Sequence, residues 1–184
     1  MKILRIIILF SFIVLSSCSN NAESLDDFSQ EIITNIKNND AEKMYSLFLS
    51  PDETALYGFL DGSVSSDEMS NLQSPQQLMD LIIEKGKKNK PFEIKTINQY
   101  ISHFKTMHDW EQVKYVKTES VLVEKRQVTN LKNKQKVDSD IYDLKIILKL
   151  NDKKEYFIKI NKAIKLNGRW AIFPLKSFGI EIPE

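Results

Sequence analysis

The apolar residues in the first half of the chain recur at helical spacing, beginning just after Ser24. One apolar face is formed by Leu25, Phe28, Ile32 and Ile36. This spacing predicts an amphipathic helix with Ser24 as its N-cap. The tripeptide Asn38-Asn39-Asp40 predicts the end of that helix and the start of a second one.

Two later helix starts each carry a serine followed by a proline. Ser50-Pro51-Asp52-Glu53 predicts a short helix that runs to about Leu60. Ser74-Pro75-Gln76-Gln77 predicts another, which ends near Gly86. The polar, serine-rich stretch 61–71 between them is expected to be the least ordered part of the domain.

From Pro91 onward we expect the hydrophobic pattern to change from helical spacing to alternation. The segment 87–91 is predicted to form a turn, and 129–139 a loop. Strands are predicted at 92–101, 113–128 and 140–150. The clearest alternation is in the last of these, in which Tyr142, Leu144, Ile146, Leu148 and Leu150 face one way.

The closing segment carries a strong hairpin signal, Asn167-Gly168 between two apolar runs. We expect both turn residues at positive φ, with Trp170 and Ile172 on one face of the strand. Ala171 and Phe173 should lie on the other face. Helices followed by antiparallel strands predict a single α+β domain over 24–184, with N-terminal helices packed on a curved C-terminal sheet.

The first residues have the pattern of an export signal. Lys2 and Arg5 precede an apolar stretch from Ile6 to Leu15. That stretch is about half of the ~20 residues that a membrane-spanning helix needs. A basic start, a short apolar core and small residues after it predict a signal peptide over 1–17.

The signal ends in Leu15-Ser16-Ser17-Cys18, which resembles the lipobox of bacterial lipoproteins. The resemblance implies that Cys18 is lipidated, that 1–17 is removed, and that 18–23 is a tether. Ser19 implies sorting to the outer membrane in a cell with two membranes, and otherwise anchoring on the outer face of the cytoplasmic membrane. Cys18 is the only cysteine, which suits an exported chain because a stray thiol is a liability in an oxidising compartment.

The mature domain resembles the nuclear-transport-factor-like cone fold, whose members include ketosteroid isomerase and scytalone dehydratase. The resemblance rests on the helix pair broken at 38–40, on the series of strands, and on the closing hairpin at 164–172. It implies a cavity between helices and sheet, where enzymes of this type place an acid or a histidine.

The residues that could carry chemistry form no recognisable motif. His103 and His108 are the only histidines, and five positions apart they share no face of a helix or a strand. We therefore expect no metal site and no cofactor. Asp109 and Asp143 could act as a base in a cavity, but Asp143 alternates with the apolar face of its strand and Asp109 lies in an expected turn. We interpret both as solvated carboxylates and assign no catalytic residue.

Charge is distributed unevenly along the chain. Residues 19–83 contain two lysines and twelve acids, whereas 84–184 contain twenty-two lysines and arginines and thirteen acids. One interpretation is a basic sheet surface for an anionic glycan, a lipid headgroup or a nucleic acid. The favoured one is that acidic helices pack over a lysine-rich sheet. Nucleic acid is not expected, because aromatic residues do not alternate with the lysines and the chain is exported.

Three functions are compatible with these patterns. The first is a membrane-anchored, non-catalytic module of the envelope, which binds membrane lipid through Cys18 and either an envelope protein or a small apolar or anionic ligand. The second is a small-molecule enzyme of the cone-fold type, similar to an isomerase or a dehydratase, with a titratable group buried in a cavity. The third is a structural component of an envelope complex, with a large exposed apolar patch.

Overall fold

The structure is a computed structural model that describes residues 24–59, 64–107, 109–150, 154–173 and 178–181. The signal peptide, Cys18, the tether 19–23 and His108 lie outside the described residues. The helices are α1 (Leu25–Asn38), α2 (Ala41–Ser46), α3 (Pro51–Leu56), α4 (Ser66–Ser70) and α5 (Pro75–Met107). After a 3₁₀ turn (Trp110–Gln112) come the strands β1 (Val113–Glu124), β2 (Gln127–Thr129), β3 (Lys136–Leu150), β4 (Lys154–Leu166), β5 (Arg169–Ile172) and β6 (Phe178–Glu181).

The strands form one open antiparallel sheet with the order β1-β3-β4-β5. The short β2 pairs with the start of β3, and β6 pairs with the first half of β4. Helices that precede an antiparallel sheet make an α+β fold, as the sequence predicted.

The predicted helix starts are confirmed by their capping contacts. The Ser24 side chain accepts a hydrogen bond from the backbone N–H of Asp27 at 3.0 Å. Ser50 and Glu53 form a reciprocal capping box with proline at the first helical position. Asn39 ends α1 in the left-handed conformation at φ 55°, and Asp40 caps α2. Each cap supplies a partner to backbone groups that the helix itself leaves unpaired.

The segment around α3 differs from the prediction in two details. The helix that begins at Pro51 ends at Leu56, before Leu60. The stretch 61–71, expected to be the least ordered, contains the short helix α4, and its residues 61–63 lie outside the described residues. The start of α4 is a second capping box, formed by Ser65 and Glu68, and a serine followed three residues later by glutamate is the usual signature of one.

The largest correction concerns α5, a single helix of 33 residues. It continues past Gly86, through the predicted turn 87–91 and through the predicted strand 92–101. Its second half faces the core with Ile94, Ile97, Ile101 and Phe104. These residues follow one another at intervals of three and four, which is helical spacing. The pattern therefore changes to alternation at Val113 and not near Pro91.

Pro91 lies inside α5 and is exposed to solvent. A proline in a helix removes one backbone hydrogen bond, and its ring crowds the preceding turn. At an exposed position water can hydrate the carbonyl group that loses its partner, so the helix continues despite the cost.

The strands at the start of the sheet also differ from the prediction. The predicted strand 113–128 is divided into β1 and β2 at residues 125–126. The predicted loop 129–139 is shorter, because β3 begins at Lys136 and pairs there with β2.

The main core lies between the helices and one face of the sheet, which we call the inner face. Its fully buried side chains come from both layers and include Phe28, Ile32, Ile101, Ile146 and Ile160. Burying an aliphatic or aromatic side chain of this size contributes about 1.5–3 kcal/mol to stability. The inner-face alternation of β3, from Tyr142 to Leu150, is as predicted.

A bulge in β4 creates a second core on the opposite, outer face. The register between β3 and β4 shifts near Tyr142, and Lys162 adopts φ 66° there. The extra residue turns Ile164 and Leu166 to the outer face, where they pack in a cluster that includes Phe59. Such bulges bend the strand that carries them.

The closing hairpin is confirmed. Asn167 and Gly168 have φ values of 51° and 82°, as a two-residue turn of this type requires. The two faces of β5 are also as predicted. Trp170 and Ile172 lie in the main core, and Ala171 and Phe173 in the second cluster.

Candidate interaction surface

The two strands at the ends of the order β1-β3-β4-β5 differ in how their outer edges are covered. On β5, the backbone N–H of Ile172 donates to the carbonyl of Leu47 at 2.9 Å, and the N–H of Leu49 donates back to Ile172 at 3.2 Å. The chain between α2 and α3 therefore protects that edge. Among the described residues β1 pairs only with β3, so its other edge offers backbone groups to a further strand.

The first part of β1 lies beneath α1. The Thr118 hydroxyl donates to the buried Ser29 at 2.7 Å, and the Tyr115 hydroxyl donates to Asp26. Burial and the hydrogen bond to Asp26 together raise the pKa of Tyr115. Near the other end of α1, Lys37 donates to the carbonyl of Val113 at 2.9 Å. These contacts place the N-terminal half of α1 over Tyr115 and Thr118, and its last turn beside Val113.

Beyond Thr118, β1 is uncovered. We call residues 119–124 the β1 tip, and every one of them is exposed. Val121 is 65%, Leu122 44% and Val123 56% exposed. Three consecutive exposed apolar residues on an open edge strand are unusual, because natural proteins normally blunt such edges with charges or cover them. Exposed apolar patches are a common feature of surfaces that contact another molecule.

Pairing with β3 defines which way each residue of the tip points. Ser120 and Leu122 lie opposite Leu144 and Tyr142, so they are on the inner face. Glu119 and Val121, which alternate with them, are on the outer face. Val123 falls in a register shift between Leu122 and Glu124. The tip therefore presents apolar side chains on both faces.

Charged groups flank the apolar residues of the tip. The Lys117 Nζ lies 2.7 Å from the Glu119 Oε1. This hydrogen bond raises the pKa of Lys117 and lowers the pKa of Glu119. At the other end the guanidinium of Arg126 lies 3.9 Å from the Glu124 carboxylate. Lys117, Glu119 and Glu124 are exposed and Arg126 is half-buried, and surface ion pairs of this kind contribute little to stability.

Further along the outer face, a lysine ammonium group lies over an aromatic ring. The Lys145 Nζ lies 3.7 Å from the centre of the Phe157 ring. Lys145 stands beside Lys159 on the next strand and beside Glu119 on β1. The lysine-rich second half of the chain therefore supplies a face of mixed charge.

Larger pKa shifts elsewhere in the described residues have local structural causes. Hydrogen bonds from Lys85 and Ser65 lower the pKa of Glu68, the capping residue of α4, to about 2. Burial and the nearby carboxylate of Glu93 raise the pKa of Tyr45 to about 12.

Open grooves lie at the hairpin end of the sheet. One, of about 530 Å³, is lined by Lys136, Asp138, Asp140, Tyr142 and Lys165. Another, of about 310 Å³, lies beside Tyr57, Phe59, Arg126 and Phe173. The Arg126 guanidinium lies 4.9 Å from the Phe59 ring centre, and its Nε donates to the buried Ser139 at 3.3 Å. These contacts hold Arg126 in the wall of the groove.

The residues considered for chemistry from the sequence are not brought together. His103 is exposed on α5. Asp109 is exposed and caps the 3₁₀ turn by accepting from the backbone N–H of Glu111 at 3.2 Å. Asp143 is exposed at the bulge, where it accepts from the N–H of Lys162 at 3.1 Å. The interpretation of both aspartates as exposed carboxylates agrees with these positions.

The described part of the chain has neither a metal-binding cluster nor a helix suited to a membrane. Its His, Cys, Asp and Glu side chains form no group of three that could hold a metal ion. Within the same residues, no helix combines the length and the apolar character needed to cross a membrane.

Sequence reasoning missed the β1 tip, although the signal is present. Val121-Leu122-Val123 breaks the alternation that an exposed strand should keep, and it stands directly before Glu124-Lys125-Arg126. Consecutive apolar residues at exposed positions do not help a chain to fold, so they suggest a function.

Comparison of the chain with protein-family models, with curated proteins and with solved structures gives no match.

Proposed function

We propose that the protein is a lipoprotein of the bacterial envelope, anchored by lipid on Cys18, whose domain is a non-catalytic protein-interaction module. The observation that carries the interaction role is the β1 tip, where Val121, Leu122 and Val123 are exposed on a strand edge that pairs with no other strand of the described residues. Main-chain groups of such an edge can bind an extended partner, and the side chains provide its specificity.

The contrast between the two edges supports this role. The edge of β5 is closed by the chain at 47–49, which shows that this fold can cover an edge strand with its own backbone. The edge of β1 is left open where it is most apolar. Because an uncovered apolar edge is an aggregation hazard, its presence favours a binding function.

The anchor places this surface close to the membrane. Only five residues separate Cys18 from Ser24, so the tether spans at most about 20 Å when fully extended. The N-terminal half of α1 contacts Thr118, the residue directly before the β1 tip, through Ser29. Partners of the β1 tip are therefore expected to be other components of the envelope.

Replacing Cys18 by alanine tests the anchor. We expect the Cys18→Ala chain to leave the membrane fraction without unfolding, because residue 18 precedes the folded domain. Mass spectrometry of the wild-type N-terminal peptide should show an acylated Cys18 and no residues 1–17. Recovery of Met1, or of an unmodified Cys18 thiol in the membrane fraction, would show that the anchor is wrong.

A photoreactive amino acid at position 121 tests the interaction role in living cells. We expect ultraviolet light to cross-link the Val121 variant to protein, because Val121 stands at the centre of the exposed tip. The matched control places the same photoreactive group at Gln76. That residue is also exposed to solvent, but it lies on α5 and outside the β1 tip. If the variant labelled at position 121 gives no more cross-linked protein than the variant labelled at position 76, the β1 tip is not an interaction surface.

A further inference from the structure

We propose that the partner of the β1 tip is the β1 tip of a second copy, paired antiparallel about a two-fold axis at Ser120. The inference rests on the proposed function, since it names the partner of the same surface. It makes the sheets of two anchored molecules continuous across the membrane surface.

The alternation of β1 allows this register. In an antiparallel pair, residues that lie opposite each other point to the same face. With Ser120 opposite its own copy, Glu119 faces Val121 on the outer side and Thr118 faces Leu122 on the inner side. Ser120 is small and exposed, so the two strands can approach at the axis.

The charges of the two strands are complementary in this register. Against β3, Val123 is left out of the pairing between Leu122 and Glu124. If Val123 bulges in the same way against a second copy, Glu124 lies opposite Lys117. The two-fold axis produces that opposite-charge pair twice, and places no two like charges directly opposite each other between 117 and 124. Opposite charges across a strand pair stabilise it and like charges destabilise it.

The position of α1 suits two copies anchored in one membrane. A two-fold axis between antiparallel strands is perpendicular to the sheet, so both inner faces lie on the same side. On each copy the N-terminal half of α1 contacts Tyr115 and Thr118, which precede Ser120 on β1. The two Ser24 residues, at which the tethers join the domains, therefore lie on one side of the paired sheet, as two lipid anchors in one bilayer require.

The size of the contact explains why anchoring matters. A pair of strands about six residues long is small beside the roughly 1,200–2,000 Å² that stable interfaces bury. Association should therefore be weak between free domains. Two copies confined to one membrane meet at a much higher effective concentration, which strengthens pairing without any new contact.

The test traps the pair with an introduced cysteine in the full-length, membrane-bound protein. Acylation of Cys18 leaves the wild-type chain without a free thiol, so Ser120→Cys adds a single one. Mild oxidation should convert the Ser120→Cys variant to a disulfide-linked homodimer. Its yield should be roughly tenfold above that of the Glu119→Cys variant, because the two copies of residue 119 are not opposite each other and their Cα atoms lie too far apart for a disulfide. Lys117→Glu in the Ser120→Cys chain should lower the yield, and adding Glu124→Lys should restore it.

Each other outcome has a distinct meaning. Equal yields from Ser120→Cys and Glu119→Cys, or none from either, overturn the self-pairing. If Val121 then still cross-links to a different protein, the proposed interaction role stands and only the second copy is wrong. A disulfide dimer of the wild-type chain would instead reveal a free Cys18 thiol, and would contradict the lipid anchor.

Discussion

Truncating Trp170 to alanine is expected to lower the free energy of unfolding by about 3–5 kcal/mol. Trp170 is 5% exposed. Its ring lies 5.0 Å from that of Tyr142 and 6.4 Å from that of Phe28. It therefore joins the closing hairpin, the central strand β3 and the first helix, so its removal leaves a cavity where three elements meet. A loss of this size is a large part of the 5–15 kcal/mol that typically stabilises a domain.

Chemical denaturation of the domain that begins at Ser24 measures this loss, with Phe173→Ala as the matched control. Phe173 lies on the same strand extension but is only half-buried, at the margin of the second cluster. Phe173→Ala should therefore lower the free energy of unfolding clearly less than Trp170→Ala does. Equal denaturation midpoints for Trp170→Ala and the wild-type domain would show that the hairpin is not part of the core.

The closing hairpin was predictable because its signals are local. Asn167 and Gly168 adopt the left-handed backbone that the turn needs, and few other residue pairs do so readily. Alternation then decides which side chains share a face, whatever the tertiary structure. The same holds for the capped helix starts at Ser24 and Ser50, where the partners are three residues apart in sequence.

The middle of α5 was not predictable by the same means. Gly86 and Pro91 are each a signal that a helix ends. The exposed, lysine-rich segment between them has no apolar residues that would predict a helix. The helix continues because Ile97, Ile101 and Phe104 gain burial against the sheet. Tertiary packing thus outweighs local preference. That contact joins residues far apart in sequence, so no window of the sequence contains it.

The β1 tip lies between these two cases. Its exposed valines could be noticed in the sequence, but their meaning depends on which strand stands at the edge. The order β1-β3-β4-β5 puts β1 there, and the alternation of a single strand does not reveal that order. The role expected for Cys18 could be predicted from a local motif, whereas the open edge of β1 is known only from the order of the strands.

Gly86 is explained by a close approach between two helices. A Cβ atom built on Gly86 would lie 2.4 Å from Cγ and 2.5 Å from Cβ of Pro51, the first residue of α3. Real Cβ atoms do not come this close to another carbon. The glycine therefore does not end the helix. It allows α3 to pack against α5 beside the small cluster that includes Ala55 and Ile82.

Replacing Gly86 by alanine is accordingly expected to destabilise the domain by about 1–3 kcal/mol, the usual cost of overpacking. The sign is informative, because alanine is better than glycine by about 1 kcal/mol in an unobstructed helix. Pro51→Gly removes both close carbon atoms and leaves only the Pro51 Cα, at 3.5 Å. In that background Gly86→Ala should stabilise the domain by up to about 1 kcal/mol. Urea denaturation of the four chains in this double-mutant cycle measures the change. If Gly86→Ala has the same effect in both backgrounds, Pro51 is not the obstacle and the packing of α3 on α5 at this point is wrong.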